Sequence, residues 1–177
     1  MIQLKSFSSF WTIAAGLSLI SLSALAQPTP NTPDEEQPIH ITADALDIQD
    51  QQGISVYTGN VEVIQGSLTL NGDKITIHHP KREIEWIQVD GKPAKFKRFD
   101  QAEQSWINGK ADFIDYRANT KTVLLKGDAK VEQPGKQLIT GPELFYDMKN
   151  KTLQANSTPE EKKRISVTIM PESAQSK

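Results

Sequence analysis

Gly59-Asn60-Val61-Glu62-Val63 recurs along the chain as Gly91-Lys92-Pro93-Ala94-Lys95-Phe96 and again as Gly127-Asp128-Ala129-Lys130-Val131. Each copy is a glycine, a polar residue and then an apolar–polar–apolar alternation. The alternation has period two, so successive side chains fall on opposite faces of an extended strand and not along a helical stripe. Repetition at a supersecondary spacing points to stacked β-units, each too small to bury its own apolar face.

Working outward, strand signals follow one another closely. Ile39-His40-Ile41, Leu68-Thr69-Leu70, Ile75-Thr76-Ile77, Ile84-Glu85-Trp86 and Ile165-Ser166-Val167-Thr168-Ile169 all alternate. Between them stand Asp50-Gln51-Gln52-Gly53, Gln65-Gly66, Asn71-Gly72-Asp73, Asp90-Gly91, Asn108-Gly109, Pro134-Gly135 and Lys149-Asn150-Lys151. Glycine and asparagine accept positive φ, so this punctuation predicts tight reversals between many short antiparallel strands. The second half restates the first: Ala43-Asp44 reappears as Ala111-Asp112, and Thr58-Gly59-Asn60 as Lys126-Gly127-Asp128. The expected fold is all-β, one antiparallel body of repeated β-meander units. Its apolar face either closes into a sandwich core or lines an open groove; alternation alone does not separate the two.

The ends read differently. Lys5, an apolar run from Phe7 to Leu22 and the small residues of Ser23-Ala24-Leu25-Ala26 predict a secretory signal peptide over 1–26, cleaved after Ala26. The apolar run is short for a membrane span, which needs about 20 residues. Residues 27–38, rich in proline, predict an extended leader; 39–170 form the β-domain, and 171–177 a polar tail. The chain has 177 residues, no cysteine and a net charge of −2, which gives no basic excess for nucleic acid and no disulfide or thiol chemistry.

Catalytic signals are absent. His40, His78 and His79 lack the converging partners that a metal site requires, and no residue set asks for a cofactor. Asp44, Asp47, Asp112, Asp115 and Glu143 are scattered, and the repeat-equivalent Asp44 and Asp112 read as strand-end residues, not as a glycosidase pair. No Gly-x-Ser-x-Gly elbow, phosphate-binding glycine loop or Ser-x-x-Lys motif occurs. Lys92, Lys95, Lys97 and Arg98 form a small basic cluster around Phe96 and Phe99. Such lysines solvate a strand face or meet anionic headgroups.

Gln37-Pro38-Ile39-His40-Ile41, Tyr57-Thr58-Gly59-Asn60-Val61, Asp73-Lys74-Ile75, Gly91-Lys92-Pro93-Ala94-Lys95-Phe96 and the closing Lys163-Arg164-Ile165-Ser166-Val167-Thr168 follow in order behind the signal. In this succession the chain resembles the OstA-like (LptA) family of periplasmic lipopolysaccharide-transport proteins over most of its length. The resemblance implies an elongated, twisted, V-shaped β-jellyroll with an open groove. It also implies that the groove shields lipid A acyl chains as lipopolysaccharide crosses the periplasm to the outer membrane. The implied partners are an LptC-like inner-membrane protein, an LptD-like outer-membrane protein and further copies joined head to tail; energy comes from a partner ATPase. No enzyme activity is implied.

Alternation together with the resemblance assigns the groove to Ile39, Ile41, Val61, Val63, Leu68, Leu70, Ile75, Ile77, Phe96, Tyr116, Val131 and Leu144, with the register of Trp86 and Tyr146 left open. Ile39 and Ile41 on the first strand, and Ile165, Val167 and Ile169 on the last, carry no proline and are expected to be edges open to another subunit. Two other readings compete: a structural β-repeat protein with a closed core, and an enzyme acting on periplasmic glycan.

Overall fold

The repeated glycines lie inside strands. In the computed structural model, residues 33–157 and 163–171 are described, and they form ten antiparallel strands of one open sheet. These are β1 (Ile39–Thr42), β2 (Ala45–Gln49), β3 (Ile54–Gln65), β4 (Leu68–His78), β5 (Trp86–Asp100), β6 (Ser105–Arg117), β7 (Thr122–Gln133), β8 (Gln137–Asp147), β9 (Thr152–Asn156) and β10 (Ser166–Ile169). The signal peptide, residues 27–32 of the leader and residues 172–177 of the tail lie outside the described residues.

The all-β, antiparallel reading agrees with this architecture, but the expected succession of many short strands does not. β3 to β8 are 11 to 15 residues long, and strands run straight through Gly59-Asn60, Asn71-Gly72-Asp73, Asp90-Gly91, Asn108-Gly109 and Gly127-Asp128, all read as turns. The physical reason is the β-bulge, which needs the same positive-φ residues as a tight turn. Gly59 and Asn60 have φ of 81° and 45°, and Gly127 and Asp128 have 77° and 45°, so the two repeats share one backbone device. The register slips there, between Thr58 and Val61 and between Lys126 and Ala129. It also slips at Asn71–Lys74, Asp90–Ala94 and Lys110–Phe113. Of the expected turns, Asp50-Gln51-Gln52-Gly53, Gln65-Gly66, Pro134-Gly135 and Lys149-Asn150-Lys151 do fall at reversals, and further reversals lie at 79–85, 101–104 and 118–121.

The row of bulges divides the sheet into two runs of paired half-strands. In one run β1 pairs with residues 62–65 of β3, and pairing continues through the adjoining halves to residues 137–140 of β8 and then β10. In the other run β2 pairs with residues 54–58 of β3, and pairing ends with residues 143–147 of β8 on β9. Both runs turn their apolar side to a single core. Leu70, Val63 and Phe96 from the β1–β10 run share it with Ile75, Val89, Ile114, Leu125 and Leu144 from the β2–β9 run. Across the irregularities in β4 and β5 the flanking inward residues are five apart, as Leu70 and Ile75 and as Val89 and Ala94 are, so the bulge there restores the inward phase that strict alternation would lose.

Candidate functional site

The predicted groove residues converge on this interior. Val61, Val63, Leu70, Ile75, Ile77 and Leu144 are fully buried or nearly so, and Leu68, Phe96 and Val131 are also buried. Ile41 and Tyr116 are half-buried against the same cluster. Ile39 stands apart, 37% exposed on β1. The open registers resolve in opposite senses. Tyr146 lines an interior cavity. Trp86 instead stacks on His78 at 5.2 Å, with the Arg117 guanidinium 5.6 Å from its ring, while its neighbour Ile87 is buried. Sequence reasoning passed over Ile87, Val89, Ile114, Val123, Leu125 and Ile139, all buried in the same cluster. Their alternation, as in Ile87-Gln88-Val89, carried the signal.

Two hollows lie between the runs. A small void of about 20 Å³, room for about one water molecule, is lined by Leu68, Leu70 and Phe96 from one run and by Ile114, Tyr116 and Val123 from the other. A larger cavity of about 270 Å³ opens between Ile107 and Val131 on one side and Tyr146 and Leu153 on the other. Tyr116 lines the small void and Tyr146 the larger cavity, whose lining also includes Asp100, Glu103, Gln133, Gln137 and Lys151. Burial raises the pKa of Tyr116 above the ordinary tyrosine value, with the Glu35 charge acting in the same direction, and burial raises that of Tyr146 as well.

Away from the bulge row, the two runs meet along a polar rim built from reversals. The leader ends in a 3-10 turn, Asp34–Glu36, seated on this rim. Asp34 accepts hydrogen bonds from the Ser67 amide and hydroxyl at 2.8 and 2.7 Å and pairs with Arg98 at 3.3 Å. Glu35 lies between Arg98 at 3.8 Å and Lys121 at 3.7 Å. Arg98 also donates toward the Met148 sulfur at 3.0 Å. Further along, Glu103 pairs with Lys136 at 2.9 Å and with Lys151 at 3.8 Å. Glu35–Lys121, Arg98–Met148 and Glu103–Lys151 each join one run to the other. These contacts are solvent-exposed or half-buried, so water and salt screen them, and they tie the runs together only weakly.

The other polar candidates stay separate. His79 hydrogen-bonds Ser55 at 2.7 Å, and His78 lies 3.2 Å from Glu85. Among the described residues, no three histidine, aspartate or glutamate side chains are grouped to hold a metal ion. Asp44 and Asp112 pack over Gly59 and Gly127, respectively. The two ends of the sheet are distinct from the interior. Ile165, Val167 and Ile169 are 40%, 54% and 74% exposed, and all of β2 is exposed.

Comparison with known proteins identifies the architecture. The family model described as LptA/(LptD N-terminal domain) LPS transport protein matches residues 40–152. The chain is 31% identical over 162 residues to the lipopolysaccharide export system protein LptH of Pseudomonas aeruginosa, covering 88% of this chain and 91% of that one. It is 32% identical over 167 residues to LptA of Escherichia coli (strain K12), covering 93% and 86% respectively. The crystal structure of LptH, described as the LptA-homologous periplasmic component of the lipopolysaccharide transport device of P. aeruginosa, superposes with a TM-score of 0.71. That match has 31% identity and covers 78% of this chain and 99% of LptH. These are transport components and not enzymes, and the chain belongs to the LptA/LptD N-terminal domain family of lipopolysaccharide transport proteins.

Proposed function

We propose that the chain is a periplasmic bridge subunit that carries lipopolysaccharide from the inner to the outer membrane with its acyl chains held between the two runs. The carrying observation is that one apolar interior is shared by both runs and that, among the described residues, screened polar ties join the runs across its rim. Exposing acyl chains to water is costly. At about 0.8 kcal/mol per methylene, a chain of about a dozen carbons costs roughly 10 kcal/mol. An interior without directional contacts removes that cost and lets the chain slide. With the void near Phe96 at about 20 Å³, loading requires the runs to part across the rim, while the bulge row stays paired as a spine.

Continuity of the bridge follows from the edges. β1 and β10 bound the same run and carry no proline, so the β10 edge of one subunit extends the run by pairing with β1 of the next. The terminal subunits would meet OstA-like domains of an LptC-like protein at the inner membrane and an LptD-like protein at the outer membrane.

A photo-cross-linking residue at Val63 or Phe96 in cells tests the reading. Capture of lipopolysaccharide at both positions is the expected result. Efficient incorporation with no lipid adduct at either overturns it. That outcome would favour a closed structural β-protein, the reading that the small void supports.

A further inference from the structure

The outward face of β5, β6 and β7 carries an arrangement that neither the interior nor the rim uses. Lys95 on β5 stands opposite Lys110 on β6, and Lys110 stands opposite Lys130 on β7. Like charges directly opposed on neighbouring strands destabilise a sheet, because their β-carbons approach to about 5 Å. Here the conflict occurs twice in succession through one shared lysine. Asn71 and Thr140 flank the row, and neither neutralises it. Lys130 has Glu132 at 2.9 Å, and Lys97 lies over the Trp106 ring at 4.1 Å. Lys95 and Lys110 have no ion-pair partner among the described residues. The chain as a whole is slightly acidic, so general basicity does not account for the row.

The row also has a shape. The four lysines, with Thr69, Asn71 and Asn108, line a hollow of about 350 Å³, and its one carboxylate, Glu132, is already paired with Lys130. Phe96 is buried in the core, so its neighbours Lys95 and Lys97 project from the opposite side of the sheet. A sheet keeps a local conflict of this kind where a ligand relieves it. A phosphoryl group fits: its charge cancels the repulsion, and ammonium and amide groups supply the donors for its oxygens.

We propose that this outer-face hollow binds phosphoryl groups through Lys95, Lys110 and Lys130, with Asn71 and Asn108 as further donors. The hollow lies across the sheet from the acyl chains, so the phosphoryl carrier is assigned as the phosphorylated saccharide of a lipopolysaccharide other than the one held inside. That assignment rests on the function proposed above, whereas the anion chemistry stands without it.

The test uses the mature chain at constant ionic strength, with sodium pyrophosphate as the probe and sodium chloride as the control. Pyrophosphate is expected to raise Tm and to shift the Trp106 indole resonance through Lys97. The Lys95→Gln/Lys110→Gln variant is expected to have a higher Tm than wild type without ligand, because the repulsion is gone, and to bind at least about tenfold more weakly. Lys110→Gln alone gives the same readout if the double variant fails to fold. A lower ligand-free Tm in the variants, or an unchanged response to pyrophosphate, overturns the proposal. Dispersed lipopolysaccharide before and after enzymatic dephosphorylation then identifies the carrier. A Trp106 shift with only the phosphorylated form supports the saccharide head. No shift with either form overturns that assignment and leaves soluble phosphate as the ligand. Cross-linking at Val63 reads the interior alone, so failure of the acyl reading and failure of this one are distinguishable.

Discussion

Asp112 occupies the space that a side chain on Gly127 would need, as Asp44 does at Gly59. Each glycine also has positive φ, so two independent constraints act at the same bulge. Gly135 separates them: its φ is 76°, yet a β-carbon there meets nothing within 4 Å. Gly135→Ala should cost about 1 kcal/mol from backbone strain alone. Gly127→Ala should cost about 2–3 kcal/mol, because Asp112 must also move. Urea midpoints at unchanged m-value measure both, and equal costs would show that the Asp112 contact contributes nothing.

The bulges also show how far the sequence is legible. Inward and outward faces were readable because alternation is local: nine of the twelve residues assigned to the groove, Val61 and Leu144 among them, are buried in the shared core. The glycine-headed repeats were visible as well, but their role was not. A Gly-Asn pair at positive φ serves a hairpin turn or a mid-strand bulge equally well. Only the pairing of both halves of β3 with the same β4 decides between them. The five-residue spacing from Leu70 to Ile75 was the available clue. The rim was illegible for a different reason. Lys121, Glu103 and Lys151 sit in separate reversals and Arg98 near the end of β5, and only the folding of one run onto the other brings them together.

Arg98 and Asp34 are both half-buried, and their pairing at 3.3 Å fixes the leader turn to the rim. Arg98→Gln removes this pair together with the contacts to Glu35 and Met148. The expected outcome is greater uptake of an apolar fluorescent dye by the folded protein, with a loss of about 1 kcal/mol in stability. Asp34→Asn should act in the same direction, and the double variant should add little to either change. Full additivity in dye uptake would mean that the two residues do not work as one latch.

Glu103 gives the rim a pH dependence. The hydrogen bond and charge of Lys136, followed by the charge of Lys151, hold its carboxyl below the ordinary value of 4.5. A depressed carboxyl contributes stability above the unfolded-state pKa and loses it as pH falls through the folded value. Acidification from about pH 5 to about pH 3 should therefore loosen the reversals at 101–104 and 148–151. Amide exchange there, corrected for the intrinsic rate, is expected to rise. Glu103→Gln should remove that local response, and an unchanged acid response in the variant would assign the loosening to other carboxylates.

Val167 is 54% exposed in the middle of β10, so its side chain contributes little to the fold of one subunit. The backbone beside it is different: β10 pairs with β8 on one side, and its other edge is unpaired among the described residues. Lysine on an edge strand opposes edge-to-edge addition, since its charge must be desolvated against an incoming strand. Val167→Lys should therefore leave Tm within a degree or two while shifting the concentrated protein from end-to-end assemblies to single subunits. Sedimentation velocity reads the change directly. Removal of residues 164–177 should have the same effect on assembly, although it also strips β8 of a partner and lowers Tm. Unaltered assembly in both variants would show that subunits do not join through β10 and would leave β9 as the edge on that side of the sheet.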